Sequence, residues 1–320
     1  MVRVNKENDV RGDLQRFLLH HLKTCGMDRR AQKLITSLLS FKGKIFYAQP
    51  AFSWGELFAL VESVGAATTS LDDTQLSRAG GFELLVLAAD IMDDLTDREA
   101  GANTLGVLAN DAAPLANLLL TDALFLLARP ATDRPDAQLR EVIRRLRTAA
   151  AGQWEDIRFL IDESAKAEDD YFRLIDRKSG SLMKMAFSAC PSDEHDLWMR
   201  AAGYIGRSAQ LANDARDVFL NTKNDLALRK ATLPLIKAVE FSRAKDGGRL
   251  LNELQKLESA DDPAPFLRRI RAYIRATGAA DYCRILAAAY RRKGIRLLEN
   301  YAERHPNRSA IDRLICFLRG

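Results

Sequence analysis

An all-α fold is predicted, and three observations predict it. Apolar residues recur at i, i+3 and i+4 along most of the 320-residue chain, strand-like β-branched runs are missing, and the 18 glycines and 9 prolines are few. Leu14, Phe17, Leu18 and Leu22 form a first helical stripe. Leu84, Leu85, Leu87, Ala88, Ile91 and Met92 form a second, and Ala288, Ile295, Leu297 and Leu298 a late third. Helix-favouring Ala, Leu and Arg fill the intervening stretches. Breaks are expected where Pro, Gly and Asp cluster, at Lys42–Pro50, Thr69–Gly81, Arg98–Asn103, Arg129–Asp136, Cys190–Asp196, Leu220–Leu226, Asp246–Gly248, Ala260–Pro265, Ala276–Ala280 and Arg304–Asn307. Pro114 suits a helix first turn, and Asp72 with Asp73 reads as a cap or turn.

These breaks are short and evenly spaced, and no Pro/Ser linker divides the chain, so residues 1–320 are expected to form one helical domain. Hydrophobic residues make up 47% and charged residues 28%, which excludes a disordered chain. The net charge of +5 is too balanced for wholesale nucleic-acid binding. The longest apolar stretch, Leu115–Ala128, is broken by Thr121 and Asp122 and is too short to cross a bilayer. The first residues hold no apolar core of a signal peptide. The four cysteines (Cys25, Cys190, Cys283, Cys316) form no C-x-x-C pair, and none is read as having a histidine at metal-ligand spacing. Reduced core thiols in a cytoplasmic protein are expected. His20, His21, His195 and His305 fall in no motif and are read as structural or surface residues.

Two acidic stretches carry the chemistry. Asp90, Asp93, Asp94 and Asp97 stand at i, i+3, i+4 and i+7, on one face of a helix. Like charges so spaced destabilise a helix unless something neutralises them. The residues before them, Leu84 to Ala89, are almost continuously apolar, which puts the acids at the end of a buried helix, facing a cavity. Gln210, Asn213, Asp214 and Asp217 repeat the spacing on a later helix. Carboxylates facing each other across a cavity suit Mg²⁺, which takes oxygen ligands and completes its shell with phosphates. The competing reading is a solvated face paired with Arg98, Arg207 and Arg216.

With these motifs the chain resembles the trans-isoprenyl diphosphate synthase (polyprenyl synthetase) family. Gly152, Gln153 and Asp156 resemble its G-Q-x-x-D helix, Lys178, Ser179 and Leu182 its K-T-x-x-L segment, and Lys230 to Leu235 its K-x-T-L-P-L signature. The resemblance covers roughly residues 40 to 240. It implies a single-domain helical bundle of isoprenoid synthase type with a dry central cavity, which apolar helices such as Leu115–Ala128 could line. It also implies an allylic prenyl diphosphate bound through several Mg²⁺ ions. Asp93, Asp94, Asp97, Asn213, Asp214 and Asp217 would be the metal ligands. Of these, Asp93, Asp94, Asp97, Asp214 and Asp217 would serve catalysis. Lys178, Lys230, Gln153 and Gln210 would hold the diphosphate.

Departures from the family refine the expectation. Tyr47 stands where a G-K-x-x-R-P motif has Arg, and the residues after Asp97 lack the usual Arg pair. The site for isopentenyl diphosphate therefore looks lost, with Lys44 read as a solvated loop lysine. Such a chain is similar to the ComQ-like branch of the family, whose members prenylate a tryptophan of a small ComX-like quorum-sensing peptide. A geranyl or farnesyl transfer of that kind is the leading expectation. Chain elongation or terpene cyclisation is the alternative, because the second acidic motif is well formed. Contact with a membrane surface through the Arg140–Arg147 and Arg268–Arg275 clusters, and a homodimer, stay open.

Overall fold

The computed structural model describes residues 9–49, 52–65, 71–97, 107, 109–129, 135–162, 166–190 and 192–320. Among them run fourteen helices: α1 (Val10–Thr24), α2 (Arg29–Leu38), α3 (Trp54–Ser63), α4 (Asp73–Thr96), α5 (Ala109–Leu127), α6 (Pro135–Asp156), α7 (Glu168–Arg177), α8 (Ser179–Phe187), α9 (His195–Asp217), α10 (Leu233–Lys245), α11 (Arg249–Glu258), α12 (Ala264–Ala276), α13 (Ala279–Ala302) and α14 (Arg308–Arg319). The sole pairing of extended backbone among the described residues is an isolated bridge between Leu160 and Lys230. The all-α fold expected from periodicity is the fold observed.

Helix starts follow local capping chemistry. Asp72 accepts from the backbone N–H of Gln75, whose side chain accepts in return from the Asp72 N–H. Ser53 and Asp28 cap α3 and α2 through their side-chain oxygens. Helix α4 therefore begins inside the 69–81 stretch where the sequence suggests a break, and it continues through Gly80 and Gly81. Packing explains the difference, since a Cβ on Gly81 would lie 2.8 Å from the Ala123 carbonyl oxygen of α5. Glycine is there to let two helices touch, at the cost of local propensity. Pro114 lies in the second turn of α5 instead of the first. The expected break at 98–103 lies outside the described residues.

Two apolar clusters form the interior. One is built by α1 to α5, α8, the first half of α9, the second half of α13, and α14. The other is built by α7, the end of α9, α10 to α12, and the start of α13. Long helices α9 and α13 pack along each other and pass through both. Helix α5 packs on α4, burying Leu119, Ala123 and Leu126 and leaving Leu118 and Phe125 exposed. Its buried face belongs to the core packed on α4. Cys190 and Cys283 are buried thiols, as expected, whereas Cys25 is half-buried and Cys316 exposed. No described helix is long and apolar enough to cross a membrane.

Candidate active site

The last turns of α4, α6 and α9 meet at the Lys178 junction and the 223–230 loop. Asp93, Asp94 and Asp97 lie at the end of α4, whose middle, Phe82 to Ala88, is buried. Lys178 sits where the backbone leaves helical geometry between α7 and α8. Its ammonium bonds Asp93 Oδ1 at 2.9 Å and Asp156 Oδ2 at 2.8 Å. Lys230 is fixed by the isolated bridge, which Ile161 and Ala231 close through their N–H groups. Its ammonium bonds Asp97 at 2.5 Å and Asp156 at 3.3 Å, with Asp225 at 3.6 Å. Asp156 therefore bridges both lysines. Gln153, one turn before it, donates to Asp93 at 2.6 Å, and Lys223 lies 3.8 Å from Asp94.

The second acidic stretch joins this network only in part. Asp214 is buried at the end of α9, accepting from Tyr171 and from Gln210, each at 2.8 Å. Asn213 and Asp217 instead accept from Arg216, at 3.1 and 2.7 Å. The competing arginine reading is thus right for Arg216 and wrong for Arg207, which pairs with Asp176. Arg98 lies outside the described residues. Asp90, the first acid of the predicted face, is drawn away from the network by Lys44. That lysine is buried, not solvated, and the charges of Asp90 and Glu83 hold its pKa up against the effect of burial.

Electrostatics follow from the spacing. Burial works to raise Asp93, but Lys178 and Lys230 outweigh it and hold the carboxyl below its ordinary value. Burial and the neighbouring Asp93 charge push Asp97 up to about 6 despite Lys230. Burial pushes Asp214 up to about 7, with Asp225 and Asp156 adding to the shift and Tyr171 and Gln210 opposing it. Both lysines are held firmly protonated, their carboxylate partners overcoming burial. The carboxylates outnumber the lysines, so the group as a whole attracts cations.

Asp156, Asp225, Lys223 and Tyr171 are site residues that sequence reasoning left out of its candidates. Asp156 was visible within the G-Q-x-x-D match, and Tyr171 gave no signal beyond an amphipathic helix.

Comparisons with known proteins address the same residues. The polyprenyl synthetase family profile matches residues 56–267, two thirds of the chain and the span holding both acidic stretches and both lysines. The chain belongs to the polyprenyl synthetase family. Within that family its similarity is to ComQ-like members. It is 27% identical over 165 residues to the tryptophan prenyltransferase ComQ of Bacillus subtilis (strain 168), covering 50% of this chain and 54% of that protein. It is 28% identical over 163 residues to ComQ of Bacillus spizizenii, covering 49% and 56%. The chain thus spans about half the length of the curated relatives it matches. A polyprenyl synthase from Caulobacter crescentus CB15, solved with calcium and isoprenyl diphosphate, has the same fold, with a TM-score of 0.74, 21% identity and coverage of 96% and 93%. A decaprenyl diphosphate synthase from Rhodobacter capsulatus gives 0.74, 19%, 96% and 94%.

Members of a polyprenyl synthetase family built around carboxylates invite a divalent ion, and the donors here fit one. Asp93, Asp94, Asp97, Asp214 and Asp217 supply hard anionic oxygens, the ligand type Mg²⁺ takes. Among the described residues, no three of these carboxylates come within 4.8 Å of one another. Lysines engage Asp93 and Asp97, Tyr171 and Gln210 bond Asp214, and Arg216 bonds Asp217.

Proposed function

We propose that the chain is a Mg²⁺-dependent prenyltransferase that moves the geranyl or farnesyl group of an allylic diphosphate to a tryptophan of a small ComX-like pheromone peptide. The observation that carries this reading is the pair of lysines held on the first acidic stretch and on a shared Asp156. Two ammonium groups so close are placed to grip one diphosphate, and the carboxylates they leave are then free for metal. Asp93, Asp94 and Asp97 would hold Mg²⁺ from one side, and Asp214, with Asp217 and Asn213 once released from Arg216, from the other. Bound there, the metal supplies positive charge against the leaving diphosphate.

The rest of the chemistry belongs to the chain and its substrates. Lys178 and Lys230 donate to the diphosphate oxygens as the allylic C–O bond breaks and its electron pair leaves with the diphosphate. Asp156 orients the lysines, and Gln153 orients the Asp93 carboxylate. The indole ring attacks the allylic carbon, forming the new C–C bond, and the ring proton passes to the released diphosphate. Elongation is disfavoured because Tyr47 replaces the expected Arg.

The test is a mass measurement. Enzyme, Mg²⁺ and geranyl or farnesyl diphosphate are incubated with a tryptophan-containing ComX-like peptide, or with isopentenyl diphosphate. A prenyl mass gain on the peptide, lost when Trp is replaced by Ala, is expected. Longer prenyl diphosphates, or volatile hydrocarbons, without peptide modification would replace this reading with elongation or cyclisation.

A further inference from the structure

We infer that His21, Cys25 and Asp122 form a second cation site, for a Zn²⁺-class ion, that pins the end of α1 to α5. Their ligand atoms all lie within 4.8 Å of one another. The site shares no residue with the lysine network, and its chemistry differs. Imidazole, thiol and carboxylate together are the ligand set of zinc, whereas magnesium takes oxygen alone.

The geometry comes from two helices. His21 and Cys25 are four residues apart, one helical turn, and the Cys25 N–H still bonds the His21 carbonyl at 2.9 Å. Both side chains therefore rise on one face of α1. This corrects the sequence reading, which gave no cysteine a histidine at ligand spacing. Asp122 arrives from α5, and its Oδ2 lies 2.8 Å from His21 Nε2. Phe17, one turn earlier, stacks parallel to the imidazole at 6.2 Å and 3°, and so holds its plane. The His21 and Asp122 side chains are 13% and 11% exposed, sheltered yet open to an ion from solvent.

In the absence of metal, a proton joins Nε2 to Oδ2. A zinc ion would replace it, with that proton moving to Nδ1 or solvent and the Cys25 thiol proton passing to solvent. Bonds of about 2.0–2.1 Å at a tetrahedral centre set N and O roughly 3.3 Å apart, so the pair opens by roughly half an ångström. Water takes the fourth position. Without metal the Cys25 thiol donates to the Leu22 carbonyl at 3.6 Å, so the ion would take the thiol from that carbonyl as well as the imidazole from Asp122.

The test uses the full chain, stripped with chelator, reduced with a phosphine, and held in excess Mg²⁺ to occupy the oxygen-rich centre. Co²⁺ is titrated in as a spectroscopic stand-in for Zn²⁺. The expected result is a saturable thiolate-to-cobalt charge-transfer band at one ion per chain, displaced by Zn²⁺ and absent from Cys25→Ser. His21→Ala and Asp122→Asn should each weaken Co²⁺ binding roughly 10–100-fold. Zn²⁺ should raise the thermal midpoint of the unmodified chain and leave that of Cys25→Ser unchanged. Three results would overturn the inference: no charge-transfer band, a band surviving in Cys25→Ser, or His21→Ala and Asp122→Asn titrating like the unmodified chain.

Discussion

Replacing Gly152 with Ala tests how the lysine network is positioned. A Cβ at this place would lie 2.6 Å from the Lys178 nitrogen, 2.8 Å from the Arg177 carbonyl carbon and 2.9 Å from the Lys178 Cα. All three are backbone atoms, so no rotamer change relieves the clash. Ordinary contact begins at 3.4 Å, so α6 and the α7–α8 junction must part by roughly 0.8 Å, an overpacking that costs ~1–3 kcal/mol. Lys178 would move with its backbone, and its bonds of 2.8 and 2.9 Å would lengthen beyond hydrogen-bonding range. A displacement near 1 Å at a reacting centre costs about 10²-fold in rate. The assay is steady-state release of diphosphate from an allylic substrate, with urea unfolding alongside. Gly203→Ala is the control, because its nearest neighbour would be the flexible Lys184 Cε at 3.4 Å. The expectation is a kcat loss of about 10²-fold for Gly152→Ala and little change for Gly203→Ala. If the two variants match the unmodified chain in rate and stability, the positioning argument is wrong.

Four further outcomes follow from the same geometry. Lys230→Ala removes the cation on Asp97 and should lower kcat for diphosphate release about 10²–10³-fold, as loss of a preorganised charge does; an unchanged rate would remove Lys230 from the site. Asp156→Asn should release both lysines from their shared anchor and slow the same reaction about 10²-fold, with native circular dichroism retained. Removing Mg²⁺ from the Zn²⁺-free chain should abolish turnover yet leave the thermal midpoint almost unmoved, since Lys178 and Lys230 already pair with Asp93, Asp97 and Asp156; a large fall would show that Mg²⁺ holds the fold together. Glu62 gives a pH signature away from the site. It is buried in α3 against Arg78, and burial pushes its carboxyl from 4.5 up to about 7. The folded state then keeps a proton that the unfolded chain releases, so stability falls as pH rises from 4.5 through 7, by roughly 3 kcal/mol. Glu62→Gln lacks this slope, and its unfolding free energy relative to the unmodified chain should gain that amount between pH 4.5 and 8. Parallel profiles would refute the assignment.

How much of this was legible beforehand depended on whether the signal was local. Helical periodicity is local, and it predicted the fold. The spacing of Asp93, Asp94 and Asp97 is local, and its placement after an apolar stretch located the end of a buried helix. Long-range pairing left no such trace. Asp156 reaches Lys178 and Lys230 across 22 and 74 residues, and nothing near any of them in the chain records that meeting. Tyr171 reads only as one buried position of an amphipathic helix. Lys44 looked like a loop lysine because its partner, Asp90, seemed committed to the acidic face. The break proposed over 69–81 reached too far for a related reason, since α4 starts at Asp73 and runs through Gly80 and Gly81, turn residues by propensity but contact surfaces in the packed helix.

The lysine network also bears on turnover. With Lys178 and Lys230 already engaged by carboxylates, a diphosphate bound as proposed would not fill empty donors but would trade places with an internal anion. Each new contact it gained would be offset by one the chain gives up, so retention would be weaker than the number of contacts suggests. After the proposed transfer, the same carboxylates would compete to reclaim the ammonium groups and so help eject the spent diphosphate. In enzymes where product escape limits the cycle, such built-in competition shortens the wait between rounds.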